Sequence, residues 1–310
     1  MIRFGLCCIF RDEPIRFRRT TARFPGSLSP ADGRRRLADL CRRSASSLQQ
    51  ALAYCRGAGI GAFRINSQIL PLKTHPDFGY AVADLPGGPE IESLFREAGR
   101  FARDHDIRTS FHPDQFILLS SPERQVVDRS VADLVYQAEV AEWTGADVIN
   151  IHAGGVYGDK PGALARLAAH VARLPDMVRR RPTLENDDRS YTPADLLPVC
   201  RQLDLPLVYD VHHHRCLPDG LDEETATRRA MATWNREPLF HLSIPAAGWG
   251  GKDPRPHHDY IDAADMPACW CHLDITVEVE AKAKELAVAR LMQDLARADG
   301  ASGRSRPSSD

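Results

Sequence analysis

Short apolar runs alternate with longer stretches of helical period along almost the whole chain. Runs at residues 2–8, 62–65, 108–111, 148–151, 182–185, 207–210, 239–242 and 268–277 predict eight strands. Ser29-Pro30 sets a cap and a first-turn proline before a helix that stops near Gly57 and Gly59. Further helices are predicted over about 90–105, 122–144, 161–174, 192–203, 223–234 and 278–296, and Thr192-Pro193 repeats the cap-then-proline signal. Strand alternating with helix through eight units predicts parallel strands joined by right-handed crossovers. Closing the eight units gives an α/β fold, a single-domain (β/α)8 TIM barrel over residues 1–297. An open nucleotide-binding sheet lacks support, because no GxGxxG follows the first strand. Residues 245–266 read as a long Gly/Pro-rich loop after strand seven, and residues 298–310 as a polar tail expected to be disordered.

Composition narrows the class further. The 310 residues suit one barrel, and the ordinary 43% hydrophobic and 26% charged content suits a globular core that needs no disulfides. The eight cysteines form no CxxC pair, which removes the zinc-ribbon and thioredoxin readings and suits a reducing, cytoplasmic setting. Cys269 and Cys271, in what reads as strand eight, are expected to be core thiols. The N-terminal MIRFGLCCIF reads as a first strand rather than a signal peptide, and no run approaches the ~20 apolar residues of a membrane span. A formal net charge of −2 argues against nucleic-acid binding by bulk charge but leaves room for local basic patches. The arginine clusters at 16–19, 34–36, 42–43 and 179–181 read individually as solvated helix ends and loops.

The chemistry lies in the positions of the polar residues. In a parallel barrel, reactive groups come from the C-terminal strand ends and the loops beyond them. After strand two stands His75, after strand three His112, at the end of strand four His152, and at the end of strand five Glu185. Strand six ends in YDVHHH with Asp210 and three histidines. Strand seven holds His241, its loop His257 and His258, and strand eight leads to Glu278 and Glu280. Of 12 histidines, only His105, His170 and His272 fall clearly elsewhere. One such histidine would mean little, but about nine converging N/O donors fit two or three divalent ions, with Zn²⁺ and Mn²⁺ the natural choices. Within the triplet, Asp210 is the last inward carboxylate of its strand. An Asp-x-x-His spacing favours His213, while His212 and His214 stay open.

The motifs FRINSQILPLKTHP, SFHPDQFILLSSP, INIHAGGVYGDK, LENDD, YDVHHH, FHLS, HHDYID and EAKAKE, in that order, resemble those of the UV damage endonucleases. These enzymes nick DNA beside photolesions and share the barrel of the endonuclease IV-type apurinic endonucleases. The resemblance spans nearly the whole fold. It implies a metal cluster of two or three ions, manganese first and zinc or magnesium next. The implied ligands are His75, His112, His152, Glu185, Asp210, His213, His241, His257 and Glu280. Glu185 would bridge two ions, and Glu185, Asp210, His241 and Glu280 would carry the catalysis. Such clusters lower the pKa of bound water and clamp the attacking and leaving oxygens of a phosphodiester. The implied reaction is hydrolysis on the 5′ side of a pyrimidine dimer, leaving a 3′-hydroxyl and a 5′-phosphate. The implied partner is double-stranded DNA carrying UV lesions.

Gln115 and Phe116, just past His112, fall where the family carries an amide and an aromatic that probe the duplex. Opening a stacked lesion costs unstacking energy that a wedge side chain partly offsets. The competing structural expectation is that Phe116 belongs to the core of FILL. Two positions depart from the family pattern. Leu239 stands where many members carry lysine, and Leu6 stands where many carry tyrosine. The alternative function is a metal-dependent sugar isomerase or epimerase, since related barrels use Glu/Asp/His sites on polyols and fold alone does not separate the two. An isomerase would need about four to six ligands for one or two ions, fewer than this mouth carries. A third possibility is a metal-binding protein without catalysis, against which stands the cost of burying so many charged groups without a task.

Overall fold

A computed structural model describes residues 1–23, 27–114 and 116–302. Eight strands form one parallel sheet: β1 (Ile2–Cys7), β2 (Ala62–Ile65), β3 (Arg108–Phe111), β4 (Val148–His152), β5 (Pro182–Glu185), β6 (Leu207–Val208), β7 (Leu239–Leu242) and β8 (Ile275–Val279). Their spatial order is β6-β5-β4-β3-β2-β1-β8-β7. The two ends meet through a parallel bridge between Asp210 and His241, and the His241 amide donates to the Tyr209 carbonyl at 3.1 Å. The sheet is thereby a nearly closed TIM barrel, as the alternation of elements predicts.

The helices follow from local chemistry. Helix α1 (Pro30–Ala58) opens with the Ser29 side chain accepting from the Asp32 amide and stops at Gly59, which has φ +70°. Helices α2 (Gly88–Asp104), α3 (Arg124–Thr144), α4 (Lys160–Val171), α5 (Asp176–Arg179) and α6 (Pro193–Leu203) cover strands two to five. At α6 the Thr192 side chain and Asp195 form a reciprocal capping box. The outward-facing strand residues, among them Leu6, Phe63, Phe111, Ile151, Leu184 and Phe240, are buried against this helical layer.

Three elements differ from the sequence-based expectation. Strand six is only two residues long, and the triplet lies in a short helix, α7 (Val211–Cys216). The cause is Asp210, whose carboxylate caps the His213 amide at 2.8 Å and turns the chain into a helix. Strand eight starts at Ile275, because residues 268–270 form a 3₁₀ turn behind Pro267 with the Trp270 indole donating to Thr227 at 2.9 Å. Cys271 is consequently exposed and Cys269 half-buried, so the CxC pair is not a core feature. After α8 (Glu223–Met231) the last helix, α9, runs over Glu285–Ser302 rather than from 278, which leaves Glu278 and Glu280 on the strand side. The described tail is helical to Ser302, and the rest of the predicted tail, 303–310, lies outside the described residues.

Inside the barrel, alternation puts Val148, Val208 and Leu239 in one apolar layer. Toward the N-terminal end lies a network in which Arg108 and Arg236 both meet Asp147, while Arg3 meets Glu237. Toward the C-terminal end the interior becomes polar. Gly5 is the register partner of both Ala62 and Glu278. A Cβ at Gly5 would lie 3.2 Å from Ala62 Cβ and 3.2 Å from Glu278 Cγ, so only glycine fits without displacement. Gly5→Val should therefore overfill this level and lower stability by about 1–3 kcal/mol, measured by urea unfolding.

Candidate metal centre

The polar upper level is built around Glu185, at the end of β5 and 1% exposed. Its two oxygens face different partners. Oε2 lies 3.0 Å from His112 Nε2 and 4.0 Å from His152 Nε2, and it accepts from the Asn150 amide. Oε1 lies 3.1 Å from His241 Nδ1 and 3.3 Å from His213 Nδ1. His152 is the register neighbour of Glu185 on β4, so this contact follows directly from strand pairing.

Asp210 is fully buried. Its Oδ2 lies 3.3 Å from His213 Nδ1 and 3.9 Å from His241 Nδ1. Asn186 fixes the backbone of Asp210, donating to its carbonyl at 2.8 Å and accepting its amide at 3.0 Å. Just past β8, Glu280 lies 3.5 Å from His241 Nδ1 and 3.7 Å from His257 Nδ1, and Arg64 Nη2 donates to it at 2.6 Å.

Three overlapping groups thus bring donor atoms within 4.8 Å of one another: His112 with His152 and Glu185, His112 with His241 and Glu280, and Glu185 with Asp210 and His213. His257 stands at the edge of this set. His75 is apart from it: its Nδ1 accepts from the Asp77 amide at 3.1 Å and its ring packs near Phe78. His214 is a support, held between the Tyr209 hydroxyl at 2.8 Å and Asp219 at 2.9 Å. His212 is buried with its ring against Trp249 and His257. His258 is exposed and its Nδ1 accepts from the Tyr260 amide.

The donor set fits divalent ions. Buried polar atoms are normally paired, yet Asp210 Oδ2, which faces His213 and His241, is buried without a hydrogen-bond partner. Electrostatics points the same way. Burial pulls the His241 imidazole down, but Glu185 and Glu280 outweigh it and raise it well above the usual range. Burial likewise opposes the charged His213, but Asp210 and Glu185 push it up to about 10. Burial opposes the Glu185 carboxylate too, and His241, His152 and His112 hold it well below the usual range. Protons on imidazole therefore compensate carboxylates where metal ions could do so instead.

Sequence reasoning missed three members of this level. Arg64, 6% exposed, reaches both Glu278 and Glu280 from β2. Asn150 and Asn186 orient Glu185 and Asp210. For Arg64 the signal was present, a charged residue at an inward position of the otherwise apolar AFRI.

The model for the UV-endonuclease UvdE family matches residues 2–306. The chain belongs to this family. It is 35% identical to the UV DNA damage endonuclease of Bacillus velezensis, covering 97% of this chain and 96% of that protein. Among solved structures, SacUVDE superposes with a TM-score of 0.86 at 24% identity, over 96% of this chain and 99% of that one. Endonuclease IV from Thermus thermophilus superposes at 0.62 with 14% identity, over 96% and 99%. These structural likenesses establish the shared barrel. Of the two departures from the UvdE family pattern, Leu6 is buried in the outer core and Leu239 in the apolar layer inside the barrel.

Phe116 is 72% exposed, whereas Ile117 and Leu119 beside it are buried, so the core expectation for Phe116 does not hold. With His112 and His152 it lines a pocket of about 370 Å³ at the barrel mouth. Gln115, the other expected probing residue, lies outside the described residues.

Because His213 and His241 hold protons that metal must displace, Mn²⁺ loading near about pH 8 should release protons. Apparent affinity should rise with pH toward the His213 value of about 10. Calorimetric titration in buffers of different ionisation enthalpy measures this; a buffer-independent heat would contradict it.

Proposed function

We propose that this chain is a divalent-metal-dependent endonuclease that nicks duplex DNA on the 5′ side of UV photoproducts, leaving a 3′-hydroxyl and a 5′-phosphate. The carrying observation is the convergence on Glu185 of donors from the end of β3, β4, α7 and β7, with Glu280 just past β8 alongside. The relatives' names, UV DNA damage endonuclease, agree with it. Bound ions, manganese first and zinc or magnesium next, would neutralise the phosphate and lower the pKa of a nucleophilic water.

The chain's own groups do the holding and aligning. The two Glu185 oxygens face separate imidazole pairs, which suits a bridging carboxylate. His152 and His112 would complete one side, and Asp210 and His213 another. His241 and Glu280 would complete a third, with His257 at its rim. His75 enters this scheme only if its loop moves inward, since its ring packs on Phe78. Asn150 steadies the Glu185 carboxylate, and Asn186 fixes the Asp210 backbone. Phe116, projecting from the loop after β3, is placed to wedge into a duplex whose phosphate sits at the mouth, with Gln115 beside it in sequence. Distorted lesions need less opening, which gives selectivity without reading base sequence.

The free cysteines are compatible with work in the cytoplasm. No helix among the described residues is long and apolar enough to cross a membrane. A sugar isomerase or epimerase shares the barrel, but membership of the UvdE family favours DNA over a polyol.

With Mn²⁺ and a duplex carrying a single cyclobutane dimer, the chain should give one nick on the 5′ side. Turnover of a keto sugar with intact DNA would reverse the assignment. Glu185→Gln should abolish nicking and lower metal content; wild-type nicking would refute the bridging role. Phe116→Ala should reduce nicking of damaged duplex at least tenfold, about 1.4 kcal/mol, with metal content unchanged. Parallel loss of both would make Phe116 a structural residue.

A further inference from the structure

Beneath the donor cluster a second carboxylate is buried that has no place in it. Glu278 on β8 is 1% exposed, in space that Gly5 leaves open on the neighbouring strand. The Ser110 hydroxyl donates to it, Arg64 Nε lies 3.3 Å away, and His241 Nε2 lies 3.2 Å away. The opposite ring nitrogen, His241 Nδ1, faces Glu185 at 3.1 Å, Glu280 at 3.5 Å and Asp210 at 3.9 Å. His241 thus sits between one carboxylate outside the cluster and three within it.

A neutral imidazole has one donor and one acceptor nitrogen. Here Nδ1 hydrogen-bonds Glu185 and Nε2 makes no hydrogen bond, with the Glu278 carboxylate 3.2 Å away; an ion on Nδ1 would leave the proton to Nε2, where Glu278 is placed to accept it. Glu278 is not among the groups whose donors converge for an ion. Its own contacts, to Ser110, Arg64 and His241, turn it away from that space. Arg64 also holds Glu280 at 2.6 Å, so one guanidinium sets the spacing of the supporting carboxylate on β8 and the ligating one just past it. Leu239, two residues before His241 and on the same face, adds only apolar packing.

We propose that Glu278 is a positioning residue: it accepts the Nε2 proton of His241, fixes that tautomer and ring angle, and makes Nδ1 the metal-binding nitrogen. The proposal rests on the metal-centre reading above and concerns metal binding, not DNA. Partners of this kind, when removed, typically weaken metal affinity by about 10–100-fold.

The test is metal titration with Mn²⁺ alone, element-resolved metal content, and nitrogen-15 imidazole spectra of the Zn²⁺-loaded full chain. Wild type should show His241 protonated on Nε2. Glu278→Leu should weaken one binding step by about 10–100-fold and lose that signature. Glu278→Gln, which keeps an acceptor oxygen, should recover most of the affinity. A proton on Nδ1 in wild type, or wild-type affinity in a folded Glu278→Leu, overturns the proposal. Equal loss of a whole ion in both variants makes Glu278 a ligand instead and overturns it too. The wild-type tautomer and the isosteric Gln variant decide the matter should the Leu variant not fold. A wild-type chain that takes up no divalent ion sinks the metal-centre reading itself, whereas tight binding without nicking sinks only the DNA assignment.

Discussion

A carboxylate that water cannot reach sets the terms for the whole barrel mouth. Burying an ion such as Glu185 costs on the order of several kcal/mol unless charge and hydrogen bonds surround it. Here the surround comes from separate elements: His112 after β3, His152 on β4, His213 on α7 and His241 on β7. Each imidazole must arrive at the same height along the barrel axis. Strand register therefore does chemical as well as structural duty, most directly where His152 pairs across to Glu185. The same requirement explains the amides: Asn150 donates to the Glu185 carboxylate, and Asn186 holds the Asp210 backbone from which the second carboxylate projects.

Much of this was legible in the sequence, because a parallel barrel marks its reactive end in a regular way. Apolar runs of four or five residues that end in His, Glu or Asp need no side-chain detail to place their last residue at the mouth. What alternation could not show was the consequence of a cap. YDVHHH reads equally as strand continuing into turn, and only the Asp210 carboxylate on the His213 amide decides for helix. That helix separates the roles of the triplet, turning His213 to Glu185 and His214 to Asp219. VEVEAKAKE was misleading for a related reason. Its charged residues fit a helical face, yet Glu278 and Glu280 alternate inward on and just past β8 because Arg64 is there to receive them. Arg64 announced itself only as one charge inside the apolar AFRI, and the strand pattern does not name the carboxylates it would meet.

The loop after β3 shows a different economy of position. Phe116 precedes Ile117 and Leu119, both buried, and so looks in sequence like the start of an apolar segment. The turn around it throws the ring outward while the next residues return to the core. A large aromatic left in water forgoes the hydrophobic gain its neighbours collect, about 1.5–3 kcal/mol for a side chain of this size. That gain remains open to whatever apolar surface meets the mouth, and the face of an unstacked base is one such surface.

The closure of the barrel and the candidate metal centre meet at one point. Strand β6 has only two residues, and the sheet is joined across β6 and β7 by Asp210 and His241. Both are members of the donor cluster. Ligands that bind only the folded state stabilise it by mass action, about 2.7 kcal/mol at a hundredfold excess over Kd. At this seam the effect would act locally, because an ion held between the two side chains ties together the two strands that the ladder joins least. The reverse also holds: any change that opens the seam separates two members of the donor cluster at once. Placing two candidate ligands at the weakest join of the sheet makes the integrity of the fold and the integrity of the donor cluster the same condition.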